Sequence, residues 1–217
     1  MNPSLKLFLV LIITLEVTFT SHLYSNVVII ILALAYLIYH RVRWQRLAWL
    51  IVITLVPALA IFVTIAFFSP GHNVYFAWVL VTRLYVYVLT GSAVSCTTSA
   101  LLLVRSLEQN CHLPSKFAYG ILAALNLFPR IAQEVRLIRI AGQMRGITLH
   151  WWSPRLYFKA ILAASQWADQ MAQAMESHGF VEGQARTSAH RVPLTRRDWL
   201  IFFILVFTLQ LLIAALP

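Results

Sequence analysis

The side chains best placed to act on another molecule stand at two helix endings of nearly the same design. The first reads Ala141-Gly142-Gln143-Met144-Arg145-Gly146 and the second Ala174-Met175-Glu176-Ser177-His178-Gly179. Each puts a small residue four positions before a basic one, so on a helix the two share a face, and Gly follows at once. The repeat distance is 33 residues. A basic group in the last turn complements the helix macrodipole, and Gly at the next position takes the left-handed cap without a Cβ penalty. Taken singly, either ending is an ordinary helix C-cap. As a pair they stand out because they lie in one polar stretch, Leu113 to Arg197, between strongly apolar segments.

No other grouping in the chain suggests catalysis. Ser92, Ser95, Ser99 and seven dispersed histidines offer no nucleophile with its base, and only seven acidic residues are present. Cys96 and Cys111 lie 15 positions apart, outside any CxxC spacing, and no two histidines are spaced i, i+4, so neither a disulfide framework nor a metal site is indicated. There is no nucleotide-binding P-loop. Within the apolar runs, Glu16 and Arg83 each lie about ten residues in from opposite sides, and isolated charges at that depth are usually paired. The expectation is a Glu16–Arg83 salt bridge joining two helices near mid-membrane.

The elements that carry these residues are those of a membrane protein. Hydrophobic residues make up 60% of the chain and charged residues 11%, which excludes an ordinary soluble domain. Apolar runs at Leu5 to Leu23, Tyr24 to His40, Leu47 to Phe68, Val74 to about Ser95, and Trp199 to Leu216 read as five spanning helices, the first retained rather than cleaved. Pro57 predicts a kink in the third, and Ser69-Pro70-Gly71-His72-Asn73 a turn after it. Lys and Arg alternate between loops: three fall between the second and third spans, none between the third and fourth, and twelve in residues 105 to 197. That pattern puts the N-terminus and the long basic region in the cytoplasm and the C-terminus outside, and it explains the net charge of +10 without nucleic acid.

The expected organisation is therefore an all-α integral membrane protein with a four-helix region at 1–96, cytoplasmic or interfacial helices at 97–197, and a final span at 198–217. Within the middle region, Thr97, Thr98 and Ser99 are expected to cap a helix through Leu107. Leu113-Pro114-Ser115 ends it, a second helix follows to about Leu127, and Pro129 opens a third, amphipathic helix over Ile131 to Met144. Trp151, Trp152 and Tyr157 read as interfacial anchors, and Pro154 opens a last helix reaching His178.

These residues together resemble the transmembrane (T) component of energy-coupling factor (ECF) ABC transporters, the EcfT/CbiQ-like family. The likeness covers nearly the whole chain and rests on the two Ala-x-x-x-basic-Gly endings, Thr97-Thr98-Ser99, Leu113-Pro114, Pro129, Ala174-Met175-Glu176 before Gly179-Phe180, and the final apolar helix. The resemblance implies a non-catalytic scaffold in the plasma membrane. Its partners would be two ABC-type ATPases, identical or different, and a small membrane-embedded S component that recognises a vitamin, a vitamin precursor or a transition-metal ion. ATP and Mg would belong to the ATPases, with no cofactor on this chain.

Carried over by position, Ala141, Arg145 and Gly146 match the first family motif. Ala174, Glu176, Gly179 and Phe180 fit the second, where His178 stands in place of the usual arginine. Histidine is shorter and lacks the planar five-donor fork, so it does not copy an arginine salt bridge. The implied mechanism is mechanical: each helix end docks on an ATPase, and closure on ATP moves the surface that grips the S component. The apolar faces Leu101 to Leu107 and Ile121 to Leu127 are candidates for that surface, packing against the protein's own spans being the other reading of those faces. The alternative is a stand-alone secondary transporter or channel, for which no inverted repeat or broken-helix pair is evident.

Overall fold

The computed structural model describes residues 1–68, 73–184 and 191–215. The described residues form eight helices and no strand: α1 (Pro3–Phe19), α2 (Leu23–Tyr39), α3 (Trp44–Phe68), α4 (Val74–Thr97), α5 (Ala100–Asn110), α6 (Ser115–Met144), α7 (Pro154–Ser177) and α8 (Arg196–Ala215). The turn at 69–72, the loop at 185–190 and the last two residues, including the expected end of the final span at Leu216, lie outside the described residues. The chain divides into two compact units, Met1–Ser106 with Val192–Pro217, and Leu107–Arg191. The expected divisions were 1–96, 97–197 and 198–217.

In the first unit, local sequence sets the helix ends. Asn2 caps α1 by accepting from the Ser4 amide at 3.2 Å, with Pro3 at the first helical position. Asn73 caps α4 by accepting from the Phe76 amide at 3.2 Å. α3 and α4 are 25 and 24 residues long with mean hydropathy of 2.8 and 1.5, enough to cross a membrane core; α2 is apolar but shorter. Only 17% of the apolar window of α3 is buried inside the protein, so its hydrophobic side chains face outward, unlike those of a soluble core helix.

α4 is the helix around which this unit packs. It touches α1, α2 and α3, while α8 packs on α1. One buried cluster joins Val17, Ile29, Val86 and Leu209 from four helices, and a second joins Ala33, Leu37, Leu47 and Leu89. A polar tie lies between α2 and α4, where buried Asn26 donates to the Val79 carbonyl at 3.4 Å and to the Thr82 hydroxyl at 3.2 Å.

Three expectations are corrected. Glu16 and Arg83 do not pair with each other. Arg83 Nη2 donates to the Thr20 carbonyl at 2.6 Å, and Glu16 accepts from the Gln210 side chain of α8. The reason is the length of α1, which stops at Phe19, so Glu16 sits in its last turn rather than near mid-helix. The freed carbonyls of that helix end, at the negative end of its dipole, then offer Arg83 an acceptor. At 97–99, Thr97 is still in α4 and donates to the Ala93 carbonyl, Thr98 is the C-cap, and Ser99 alone serves α5, accepting from the Leu102 amide at 3.4 Å. α5 then runs on to Asn110.

The third correction concerns Pro129, which lies inside one continuous helix of 30 residues rather than at the start of a new one. Asn126, Leu127 and Phe128 before it include no N-cap at the required position, Phe128, and no glycine that would end the first half. Without a stop signal the helix continues and forgoes one backbone hydrogen bond.

Replacement of Asn26 by Leu removes the polar tie while keeping the branched side-chain skeleton. It should lower unfolding stability in detergent by about 1 kcal/mol, the scale of interhelical hydrogen bonds in membrane proteins. An unchanged denaturation midpoint would show that apolar packing alone holds α2 on α4.

Candidate functional site

The second unit is built on α6 and α7, which pack together. Their contacts run in antiparallel order. Lys116 bonds Glu182 at 2.6 Å, Tyr119 meets Phe180 edge-on with centroids 5.7 Å apart, Arg130 lies over the Trp167 ring at 5.7 Å, and Arg139 lies over Trp151 at 4.2 Å. The two motifs therefore stand at opposite ends of the pair. At 1.5 Å per residue, the 24 residues of α7 separate them by about 36 Å.

Both endings close in the same hydrogen-bond pattern. Arg145 is the C-cap of α6; the Gly146 amide donates to the Gln143 carbonyl at 3.0 Å and the Ile147 amide to the Gly142 carbonyl at 2.9 Å. His178 is the C-cap of α7; the Gly179 amide donates to the Glu176 carbonyl and the Phe180 amide to the Met175 carbonyl, both at 2.9 Å. These are Schellman motifs, and they need a left-handed residue after the cap. Gly146 and Gly179 supply it, with φ of 71° and 81°. The basic residues thus stand at the cap itself, one position beyond the last turn expected for them.

The endings differ in what folds over them. After Gly146 the chain turns back across α6, and Leu149 is buried on Gly142. A Cβ at position 142 would lie 2.8 Å from Leu149 Cδ1 and 3.1 Å from the Ile147 carbonyl oxygen, so a side chain there must push Leu149 aside and crowd that carbonyl. At the second ending, Phe180 packs on Tyr119 and leaves an open groove of about 260 Å³ lined also by Met171, Ala174, Met175 and His178. Ala141, Arg145, Gly146, Ala174, Glu176, His178 and Gly179 are all exposed. Among the described residues no ion pair engages Arg145, His178 or Glu176. The site can thus present one guanidinium and one imidazole to separate partners, each on a rigid capped helix end.

Gly142, Leu149, Tyr119 and the Arg139–Trp151 stack are not singled out by sequence reasoning. The one signal is Gly142 itself, a poor helix former in the last turn of α6. Glu16 and Arg83 belong to the other unit and take no part here.

Residues 1–189 match the family described as CbiQ, cobalt transport protein. The chain belongs to the CbiQ family. The match spans α1 through α7 and both motifs, and it bears out the resemblance to the EcfT/CbiQ-like family. No curated protein matches the chain. As a CbiQ-family member it is the membrane component of a transporter, in keeping with the outward-facing apolar helices α3 and α4.

Two glycine substitutions separate the causes of order at the first ending. Gly142→Ala should loosen the 147–149 return through its clash with Leu149. Gly146→Ala meets open space and should cost about 1 to 2 kcal/mol through backbone strain alone. Hydrogen exchange of the amides at 147–149 reads both, and equal protection in wild type and Gly142→Ala would refute the close-packing account.

Proposed function

We propose that this CbiQ-family protein is the energy-coupling scaffold of an ECF-type ABC importer. The observation that carries this reading is the pair of exposed basic helix ends, held by identical caps at opposite ends of the antiparallel α6–α7 pair. A separation of about 36 Å gives each end room to dock its own ATPase subunit. Arg145 would meet a carboxylate or carbonyls in a groove on one ATPase, and the His178 end, with Glu176 beside it, would meet the other. ATP and Mg are bound and used by those partners, and this chain transmits the motion.

Closure of the ATPases acts on the ends of the α6–α7 pair, and a rigid pair converts that force into movement of the whole unit. Candidate surfaces for the S component are the exposed apolar positions Ile121 and Leu125 of α6 or, in the first unit, Leu101 and Leu102 of α5. Cargo is recognised there rather than by this chain. The family's description names cobalt, so a transition-metal ion is the first cargo to test, ahead of a vitamin or its precursor. In this reading the protein spans the membrane five times through α1, α2, α3, α4 and α8, with α5 to α7 on the cytoplasmic side, as the distribution of Lys and Arg favours.

Arginine and histidine at the two ends suit two unequal ATPase contacts. Truncating one partner of a partly desolvated charge pair costs about 2 to 5 kcal/mol. Arg145→Ala should therefore lose one ATPase in detergent co-purification, while His178→Ala weakens the other less and His178→Arg leaves it bound or tightens it. Retention of both ATPases by the double variant Arg145→Ala, His178→Ala would sink the assignment.

A further inference from the structure

The first unit holds a cavity that the coupling role does not use. Four helices line it over matching windows: positions 6–13 of α1, 29–36 of α2, 90–97 of α4 and 205–212 of α8. Each window covers seven residue steps, about 10.5 Å of helix. The groove's volume of about 310 Å³ along that length has room for a stretch of extended hydrocarbon chain.

Its lining has the polarity of an amphiphile. The walls are aliphatic along the length, with Val10, Ile13, Leu32, Val94 and Leu209 among them. Met1 also lines the groove, with its α-ammonium paired to Asp198 at 3.4 Å, and the other charge in the lining is at one end. There the Lys6 ammonium lies 3.3 Å from the Thr97 hydroxyl and 6.0 Å from the centroid of the Tyr36 ring, and among the described residues no carboxylate comes within 4.0 Å of it. A hydroxyl and a ring face leave its charge unneutralised, and a half-buried cation at the mouth of an apolar slot calls for an anion attached to a hydrocarbon.

We propose that this groove binds one acyl chain of an anionic phospholipid, with the lipid phosphate on the Lys6 ammonium. The bound chain fills the gap between α1, α2, α4 and α8, so the lipid acts as a structural part of the membrane unit. Lys6 sits where the positive-inside pattern locates the cytoplasmic surface, the leaflet in which anionic headgroups concentrate.

The test is native mass spectrometry of the purified full chain in detergent, with phosphatidylglycerol and phosphatidylcholine carrying identical acyl chains. Wild type should retain phosphatidylglycerol about fivefold better, the effect of one lysine near a lipid surface. Lys6→Gln should erase that preference. Leu32→Trp, at an exposed position on the groove rim, and Val94→Trp, inside it, should each reduce retention of both lipids. Equal retention of the two lipids by wild type overturns the proposal, as does a preference that survives Lys6→Gln. A cysteine at Val206 that cross-links in native membranes to another protein, with no lipid retained, would reassign the groove to a protein partner. No ATPase enters the measurement, so its failure is distinct from failure of the coupling role.

Discussion

The two capped helix ends are set apart by the length of α7, and α6 backs that length as one element because it carries Pro129 without breaking. A proline in a helix interior removes one amide donor, and its ring presses on the carbonyl four residues back, here that of Leu125. The cost is offset by side-chain packing on both sides of it: Tyr119 on Phe180 before the proline, and Arg130 on Trp167 immediately after. Had the helix stopped there, two shorter pieces would have had to be held separately against α7. As one 30-residue element, α6 makes the pair a lever with a motif at each end.

The membrane unit follows a different constraint. Where lipid surrounds a helix, polar groups must find partners within the protein. Asn26 reaches α4, Arg83 reaches the carbonyl at the end of α1, and Glu16 reaches Gln210 of α8. Each of these three contacts links a different pair of segments. Polar side chains thus supply the register that apolar packing, being non-directional, leaves loose.

The cap geometry alone does not distinguish the candidate site. α2 ends in the same pattern, with the Val42 amide on the Leu37 carbonyl and Arg41 at the left-handed position with φ of 51°. The α2 cap is also an exposed histidine, His40, so what separates the α6 and α7 endings is glycine at the left-handed position and a surface shaped beside it: Leu149 on Gly142 at one end, the Tyr119–Phe180 groove at the other. Glycine relieves the strain that a side chain bears there, and so leaves the cap residue free to be chosen for contact with a partner.

The sequence by itself determined the all-helical class and the two glycine-closed helix endings, because these depend on local chemistry. Hydropathy located the apolar helices to within a few residues, Pro154 opened α7, and Gly146 and Gly179 closed their helices as their lack of a Cβ permits. Only the tertiary structure decided the partners of Glu16 and Arg83, since those rest on where α1 ends relative to α4 and α8, a matter of three helices at once. It also decided that α6 continues through Pro129. A proline's local preference for a helix start was outweighed by the absence of a cap before it and by contacts with α7, more than thirty residues later in the chain. The antiparallel pairing that sends the two motifs to opposite ends is likewise a long-range fact. Nothing within either six-residue motif encodes it.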